Sequence, residues 1–236
     1  MTRFLTRLVL LLVVASCACA QPGPAAERTP PPSGPVAVAP AASTAPRIVF
    51  LGDSLTAGLG LPMEASVPAL IERRLQDEGY EYRVVNAGVS GDTSAGGLTR
   101  LEWSLEGDVK VLVIELGAND GLRGLPVTNL KTNLAEVIVR ARSRGIRVVL
   151  TGMEAPPNFG AVYTSEFRDV YRQLAREHDV IFVPFFLEGV AGIPALNQSD
   201  GMHPNAQGAR VIEQTIWRAL EPLLTKATHG RGNGTR

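Results

Sequence analysis

The chain has 236 residues, its 23 Lys and Arg are balanced by 23 Asp and Glu, and 45% of its residues are hydrophobic. A formal charge of zero argues against nucleic acid as a partner, because phosphate binding requires clustered, excess Lys and Arg. Two Cys and three His offer few donors for a four-ligand zinc or iron–sulfur site, so we expect no metal and no cofactor.

The N-terminus predicts export. Residues 1–20 place two arginines before the apolar run Leu8 to Ala15, which is typical of a signal peptide and too short to span ~30 Å of hydrocarbon. The residues before Cys17 resemble a lipobox, which would make Cys17 a lipidated membrane tether, whereas ordinary cleavage before Gln21 also fits. We expect a periplasmic or outer-membrane-anchored lipoprotein, with a secreted protein as the alternative.

The rest of the chain divides into three parts. Residues 21–46 are rich in Pro and Ala and poor in large apolar residues, which predicts a disordered linker. Residues 47–228 are long enough for one well-buried domain, and residues 229–236 form a polar, Gly-rich tail that we expect to be flexible. Nothing in this composition requires an oligomer.

Residues 47–228 alternate between two patterns. Five short apolar runs predict buried parallel strands: Arg47–Leu51, Arg83–Asn86, Val109–Leu116, Arg147–Thr151 and Val180–Val183. Between them lie stretches of helical periodicity: one around Ile71 with Ser66 as its N-cap, one around Leu134, one around Tyr171, and one before which Pro204 is predicted to open the helix. This alternation predicts an α/β fold, a three-layer α/β/α sandwich around a five-stranded parallel sheet.

Four polar blocks stand at predicted strand ends and before the last helix: Gly52–Leu55, Asn86–Thr93, Gly117–Asp120 and Asp200–Asn205. One such block alone is weak evidence of function, since a Gly-Asp-Ser turn could also precede a phosphate-binding helix in a flavodoxin-like module. All four together, in this order, resemble the GDSL/SGNH hydrolase superfamily. The amino-acid sequences of these blocks resemble in particular those of one subgroup, the bacterial arylesterases and multifunctional acyl-CoA thioesterase/lysophospholipases.

The residue types in these blocks fit acyl transfer. Ser54 supplies a hydroxyl, His203 can take its proton, and Asp200, three residues earlier, can orient the imidazole. Each has a plainer interpretation: Ser54 as a helix cap, His203 as a backbone-bonded loop residue, and Asp200 as a turn former. His178, at a helix end, and His229, in the tail, are weaker candidates for the base.

The resemblance implies further roles. An oxyanion hole would consist of the backbone N–H groups of Ser54 and Gly91 and the side-chain amide of Asn119. The segment after Asn119 and the loop 153–163 would contact the acyl chain, which makes Gly121, Leu122, Leu125 and Pro157 candidate substrate-binding residues.

Several neighbouring side chains are expected to be structural. We interpret Asp53 and Asp92 as residues that cap or hold turns, and Glu115 as the partner of a buried donor. Trp103, Phe185 and Phe186 are expected to lie in the core or in a pocket wall.

We therefore expect a serine esterase that works through an acyl-enzyme on Ser54, of the lysophospholipase/arylesterase type, with thioesters also accessible. Its partners would be small-molecule acyl esters or lysophospholipids. A carbohydrate acetylesterase is the first alternative, and a non-enzymatic exported lipid- or acyl-binding protein is the second.

Overall fold

The computed structural model describes residues 45–226, so the predicted signal peptide, Cys17, nearly all of the linker and the C-terminal tail lie outside the described residues. Within them, one parallel sheet contains five strands: β1 (Arg47–Gly52), β2 (Arg83–Gly88), β3 (Val109–Glu115), β4 (Arg147–Thr151) and β5 (Ile181–Val183). The strand order is β2-β1-β3-β4-β5, with every neighbouring pair parallel. The predicted α/β fold and its strands are confirmed.

Eight α-helices accompany the strands in the described part: α1 (Ser54–Ala57), α2 (Val67–Asp77), α3 (Ser94–Thr99), α4 (Leu101–Ser104), α5 (Ala118–Leu122), α6 (Val127–Ser143), α7 (Ala161–Glu177) and α8 (Ala206–Leu220). Single 3-10 turns cover Met63–Ala65, Pro157–Phe159, Pro194–Leu196 and Glu221–Leu223. Helices α2 and α8 pack on each other, and α6 packs against both α3 and α7, which gives the two helical layers of the sandwich.

Burial follows the position of each strand in the sheet. Strand β3 is buried throughout except at Lys110, and β1 and β4 are buried except at their first residues. Strands β2 and β5 form the two edges and are only partly buried, so the expectation of cover on both faces is wrong for these two. Helices can pack over the middle of a twisted sheet more completely than over its margins.

The long helices form where apolar residues recur at helical spacing. Ser66 caps α2 as predicted, since its hydroxyl accepts the N–H of Ala69. The role predicted for Pro204 is wrong: α8 begins two residues later, and Asn205 caps it by accepting the N–H groups of Gln207 and Gly208 at 2.9 and 3.1 Å. An Asn side chain can satisfy these unpaired donors, which a proline cannot do.

The prediction for Trp103 is also wrong. Its side chain lies on the short helix α4 and is 68% exposed, whereas Phe186 is buried and Phe185 lines a cavity. The neighbouring Leu101 and Ser104 are the residues of α4 that face inward.

In residues 45–226 we find no helix with the length and apolar content needed to cross a bilayer.

The order of the strands fixes where a site can form. The chain moves from β1 outward to β2 and then returns past β1 to β3, so the order reverses between β1 and β3. The loops that leave neighbouring strands at such a reversal diverge and open a crevice at the carboxyl edge of the sheet. The loops after β1, β2 and β3 carry Ser54, Gly91 and Asn119.

Candidate active site

Ser54 is held at the start of a very short helix. Strand β1 ends at Gly52, and the carboxylate of Asp53 caps α1 by accepting the N–H of Leu55 at 3.0 Å. Asp53, and not Ser54, is therefore the cap, as the sequence indicated for Asp53. This leaves the hydroxyl of Ser54 free to point into the crevice, where it meets His203.

Three side chains form a continuous hydrogen-bonded relay. The Oγ of Ser54 lies 2.9 Å from Nε2 of His203, and Nδ1 of His203 lies 2.7 Å from Oδ2 of Asp200. A carboxylate can only accept, so Nδ1 carries the ring proton that faces Asp200. In the neutral ring Nε2 is then unprotonated and can accept the proton of the serine hydroxyl.

Asp200 remains a carboxylate over almost the whole pH range. Its Oδ1 accepts the backbone N–H groups of His203 and Met202, and these bonds, together with the ring of His203, lower the pKa of Asp200 from 3.8 to about 2. The same turn therefore orients the imidazole and fixes the charge beside it. The loop that bears both residues precedes α8.

Two backbone donors are open beside the hydroxyl of Ser54. Among the described residues, the N–H groups of Ser54 and Gly91 have no hydrogen-bond acceptor. Gly91 has φ of +86°, a backbone conformation that residues other than glycine rarely adopt. This conformation sets the orientation of its peptide group. Both donors belong to segments that line the same cavity.

The amide of Asn119 is engaged. Its Nδ2 donates to Oδ2 of Asp53 and to the carbonyl oxygen of Asp92, each at 3.0 Å. The amide therefore ties the loop after β3 to the loops after β1 and β2. To stabilise an oxyanion it must share one of these hydrogens or release the Asp92 carbonyl.

Arg100 holds together the strand ends that carry the site, a role that the sequence did not reveal. Its guanidinium donates to the carboxylate of Asp92 at 2.6 Å and to the carbonyl oxygens of Ala87 and Gly52 at 2.6 and 2.8 Å. These acceptors lie up to 48 positions away along the chain. No local pattern could have indicated that one arginine joins the ends of β1 and β2.

Asp120 makes a second clamp between the same loops. Its carboxylate accepts the N–H and the hydroxyl of Ser94 at 2.7 and 2.6 Å, and the hydroxyl of Ser94 also accepts from Asn133. The Gly91 loop is thus fixed to the segment that bears Asn119. On the outer side, Arg123 donates to the carbonyl oxygen of Gly91 at 2.9 Å.

A cavity of about 630 Å³ opens over Ser54 and His203. Much of its wall is apolar, formed by Leu55, Leu59, Leu122, Met153, Ala155, Pro156, Pro157, Phe185, Leu187, Ala191 and Met202. Such a volume and lining are typical of small-molecule sites. Leu59, Leu122 and Met202 are about half exposed and stand where the cavity meets solvent.

Only two of the four predicted acyl contacts line this cavity. Leu122 and Pro157 do, whereas Gly121 and Leu125 do not. A Cβ at Gly121 would lie 3.1 Å from the ring of Phe167, so this glycine allows α5 to pack closely behind the wall. The backbone of Leu125 is bonded to Asp120 and to the hydroxyl of Tyr163. The prediction for these two positions is corrected accordingly.

Two buried carboxyl groups lie directly behind the relay. Asp53 and Glu115 are fully buried, and burial raises the pKa of both carboxyl groups. The shift is larger for Glu115, whose pKa is raised further by the negative charge of Asp53. As expected, Glu115 accepts from buried donors, namely the hydroxyl of Thr56 at 2.8 Å and the N–H of Asp53 at 3.2 Å.

Comparison with known protein families gives a match over most of the described chain. Residues 50–211 match the model of the GDSL-like lipase/acylhydrolase family. This span contains all four polar blocks and every residue of the relay.

Individual relatives agree with that match. The chain is 46% identical over 183 residues to the esterase TesA of Pseudomonas aeruginosa, covering 77% of this chain and 91% of the relative. It is 36% identical over 184 residues to the thioesterase 1/protease 1/lysophospholipase L1 of Escherichia coli K12, covering 78% and 87%. The crystal structure of the psychrotrophic esterase EstA from Pseudoalteromonas, inhibited by monoethylphosphonate, superposes with a TM-score of 0.71 at 33% identity, covering 75% and 97%.

Proposed function

Because this chain belongs to the GDSL-like lipase/acylhydrolase family and is an ester hydrolase, we propose that it cleaves acyl esters through a covalent acyl-enzyme on Ser54. The observation that carries this proposal is the relay from Ser54 through His203 to Asp200, with distances of 2.9 and 2.7 Å. A serine hydroxyl is too weak an acid to attack a carbonyl group unaided, and this relay supplies the base that it needs.

In the first half-reaction, Oγ of Ser54 attacks the ester carbonyl carbon while Nε2 of His203 takes the hydroxyl proton. The negative charge that develops on the carbonyl oxygen is stabilised by the N–H groups of Ser54 and Gly91, with Asn119 as the third donor. The carbon–oxygen bond to the leaving alcohol then breaks, and His203 returns the proton to that alcohol.

In the second half-reaction, water replaces the alcohol. His203 takes a proton from the water as it attacks the acyl-enzyme, the same donors stabilise the second tetrahedral intermediate, and the proton returns to Ser54 as the carboxylic acid leaves. Asp200 keeps its charge throughout and stabilises the imidazolium at both stages.

The substrates we propose are esters with apolar acyl or aryl groups, including lysophospholipids, with thioesters accessible to the same chemistry. The apolar wall of the cavity supports this class, since a carbohydrate acetate would place a polar sugar or a single methyl group against it. The name of the Escherichia coli relative includes both thioesterase and lysophospholipase, which agrees with this breadth.

A series of p-nitrophenyl esters from acetate to dodecanoate tests the substrate class. We expect kcat/KM to rise from acetate by at least about tenfold toward medium chains, because each buried methylene contributes about 0.8 kcal/mol up to the length that the cavity holds. Ser54→Ala should reduce turnover of every ester to background while the protein stays folded. A maximum at acetate would favour the acetylesterase instead.

We also propose that the enzyme acts after export, on the basis of the signal-like residues 1–20. The mass of the mature N-terminus distinguishes lipidation at Cys17 from cleavage before Gln21.

A further inference from the structure

Two carboxyl side chains, those of Asp53 and Glu115, are buried together behind Ser54. Both are fully shielded from solvent, and Oε2 of Glu115 accepts the backbone N–H of Asp53 at 3.2 Å. Burying two ionised carboxylates side by side is unfavourable, so we expect one of the pair to hold a proton.

The surroundings indicate which residue holds that proton. Asp53 receives two N–H donors, from Leu55 on Oδ1 and from Asn119 on Oδ2, and such donors favour its ionised form. Glu115 receives donors only on Oε2, while its buried Oε1 receives none from the described residues. An oxygen without a donor is where a proton is accommodated most easily.

We propose that Glu115 is a positioning residue of the active site: it is held in its protonated form, and by accepting the N–H of Asp53 and the hydroxyl of Thr56 it fixes Asp53, which in turn holds the side-chain amide of Asn119. This rests on the role proposed above for Asn119 as an oxyanion donor. Glu115 touches neither substrate nor reacting atoms in this arrangement.

The proton on Glu115 matters because of the charge that the reaction creates. Asp53 precedes the nucleophile and contacts Asn119, so the pair lies close to the developing oxyanion. Two negative charges on the pair would oppose the negative charge of the oxyanion. One proton leaves the pair with a single negative charge, on Asp53, which can still hold the side-chain amide of Asn119. His203 and Tyr171 are the other titratable side chains that interact with this pair.

Gly52 shows how tightly this arrangement is built. A Cβ at this position would lie 2.0 Å from the hydroxyl oxygen of Thr56 and 2.7 Å from Oε2 of Glu115. The glycine therefore leaves the space in which Thr56 and Glu115 meet.

Infrared spectroscopy of the whole protein at pH 7 tests for the proton. We expect the carbonyl stretch of a protonated carboxylic acid in the wild type, its loss in Glu115→Gln, and its retention in the matched control Glu106→Gln, which changes an exposed glutamate. If the wild type has no such band, or if the band survives in Glu115→Gln, the proton assigned to Glu115 is refuted.

Steady-state kinetics test the positioning role. Glu115→Leu removes the acceptor of the Asp53 N–H and of the Thr56 hydroxyl, so we expect kcat to fall roughly tenfold to a hundredfold, somewhat less than for loss of a whole oxyanion donor, with KM changed less than about twofold. Glu115→Gln should restore kcat to within about threefold of the wild type, because its amide oxygen can still accept from both donors.

A second variant is needed because Glu115→Leu leaves Asp53 without its partner and can destabilise the core. Asp53→Asn removes the charge that holds Asn119 and should also lower kcat with little change in KM. A wild-type kcat in folded Glu115→Leu or in folded Asp53→Asn, or a Gln variant as impaired as the Leu variant, would overturn the positioning role. Failure of the proposed function itself would be recognised separately, as turnover by Ser54→Ala.

Discussion

Asp200 shows how a single residue can set both geometry and charge in the relay. One carboxylate oxygen receives two backbone N–H groups of its own turn, and the other receives the ring of His203. The side chain is 41% exposed, so burial does little to oppose its charge, and these donors keep it ionised. In the mechanism that we propose, the residue is thus available as an anion whenever His203 becomes protonated.

The direction of this pKa shift predicts a specific dependence on pH. Because the pKa of Asp200 falls from 3.8 to about 2 on folding, the stability that its charge contributes is present above pH 3.8 and is lost as the pH falls through about 2. We expect the stability difference between the wild type and Asp200→Asn to be constant above about pH 5 and to shrink toward pH 2 in denaturant titrations.

The same variant should lower kcat at neutral pH by about a hundredfold or more, because the imidazolium loses its counter-charge. A stability difference that grows on acidification, or a kcat unchanged in Asp200→Asn, would contradict the role described for this carboxylate.

At the scale of elements, the site depends on how the ends of neighbouring strands are joined. Arg100 directly follows α3, and its planar guanidinium donates hydrogen bonds to the ends of β1 and β2 and to Asp92 in the loop after β2. Its side chain is 17% exposed, so the ion pair with Asp92 is largely shielded from water. Lysine could not reach all three acceptors with the same geometry.

Arg100→Lys should therefore weaken both stability and catalysis. We expect a loss of about 1–3 kcal/mol in the free energy of unfolding, together with a lower kcat as the loops of Ser54 and Gly91 lose their common anchor. The matched control is Arg140→Lys on α6, whose pairs with Glu102 and Glu136 are exposed and should contribute little. Equal effects of the two substitutions would show that Arg100 has no special role.

The elements also show what the sequence could and could not predict. The spacing of apolar residues predicts the central strands and the long helices, because this spacing is a local property of each segment and reflects which side of the segment packs on the core. The same patterns do not tell which strands lie at the edges, as with β2 and β5, or that Trp103 faces outward. Proline favours the first turn of a helix, which predicts a helix start at Pro204, but Asn205 is the better cap and α8 begins after it.

At the scale of the whole molecule, the fold brings together residues that are far apart in sequence. Ser54 and His203 are separated by 149 positions and meet because β1 and the loop before α8 end on the same edge of the sheet. The family resemblance predicts the members of this site from four short blocks. It does not predict the contacts behind them, such as those of Arg100 and Asp120, because these depend on three-dimensional packing.

The most direct test of the mechanism is reaction with a fluorophosphonate, followed by intact-mass and peptide-mass measurement. Attack by Oγ of Ser54 would form a phosphorus–oxygen bond and expel fluoride, while His203 takes the hydroxyl proton. We expect one adduct per chain, on the peptide that contains residue 54, and none in Ser54→Ala. An adduct on a different residue, or undiminished ester hydrolysis by protein that carries no adduct after exhaustive treatment, would contradict the assignment of this serine as the nucleophile.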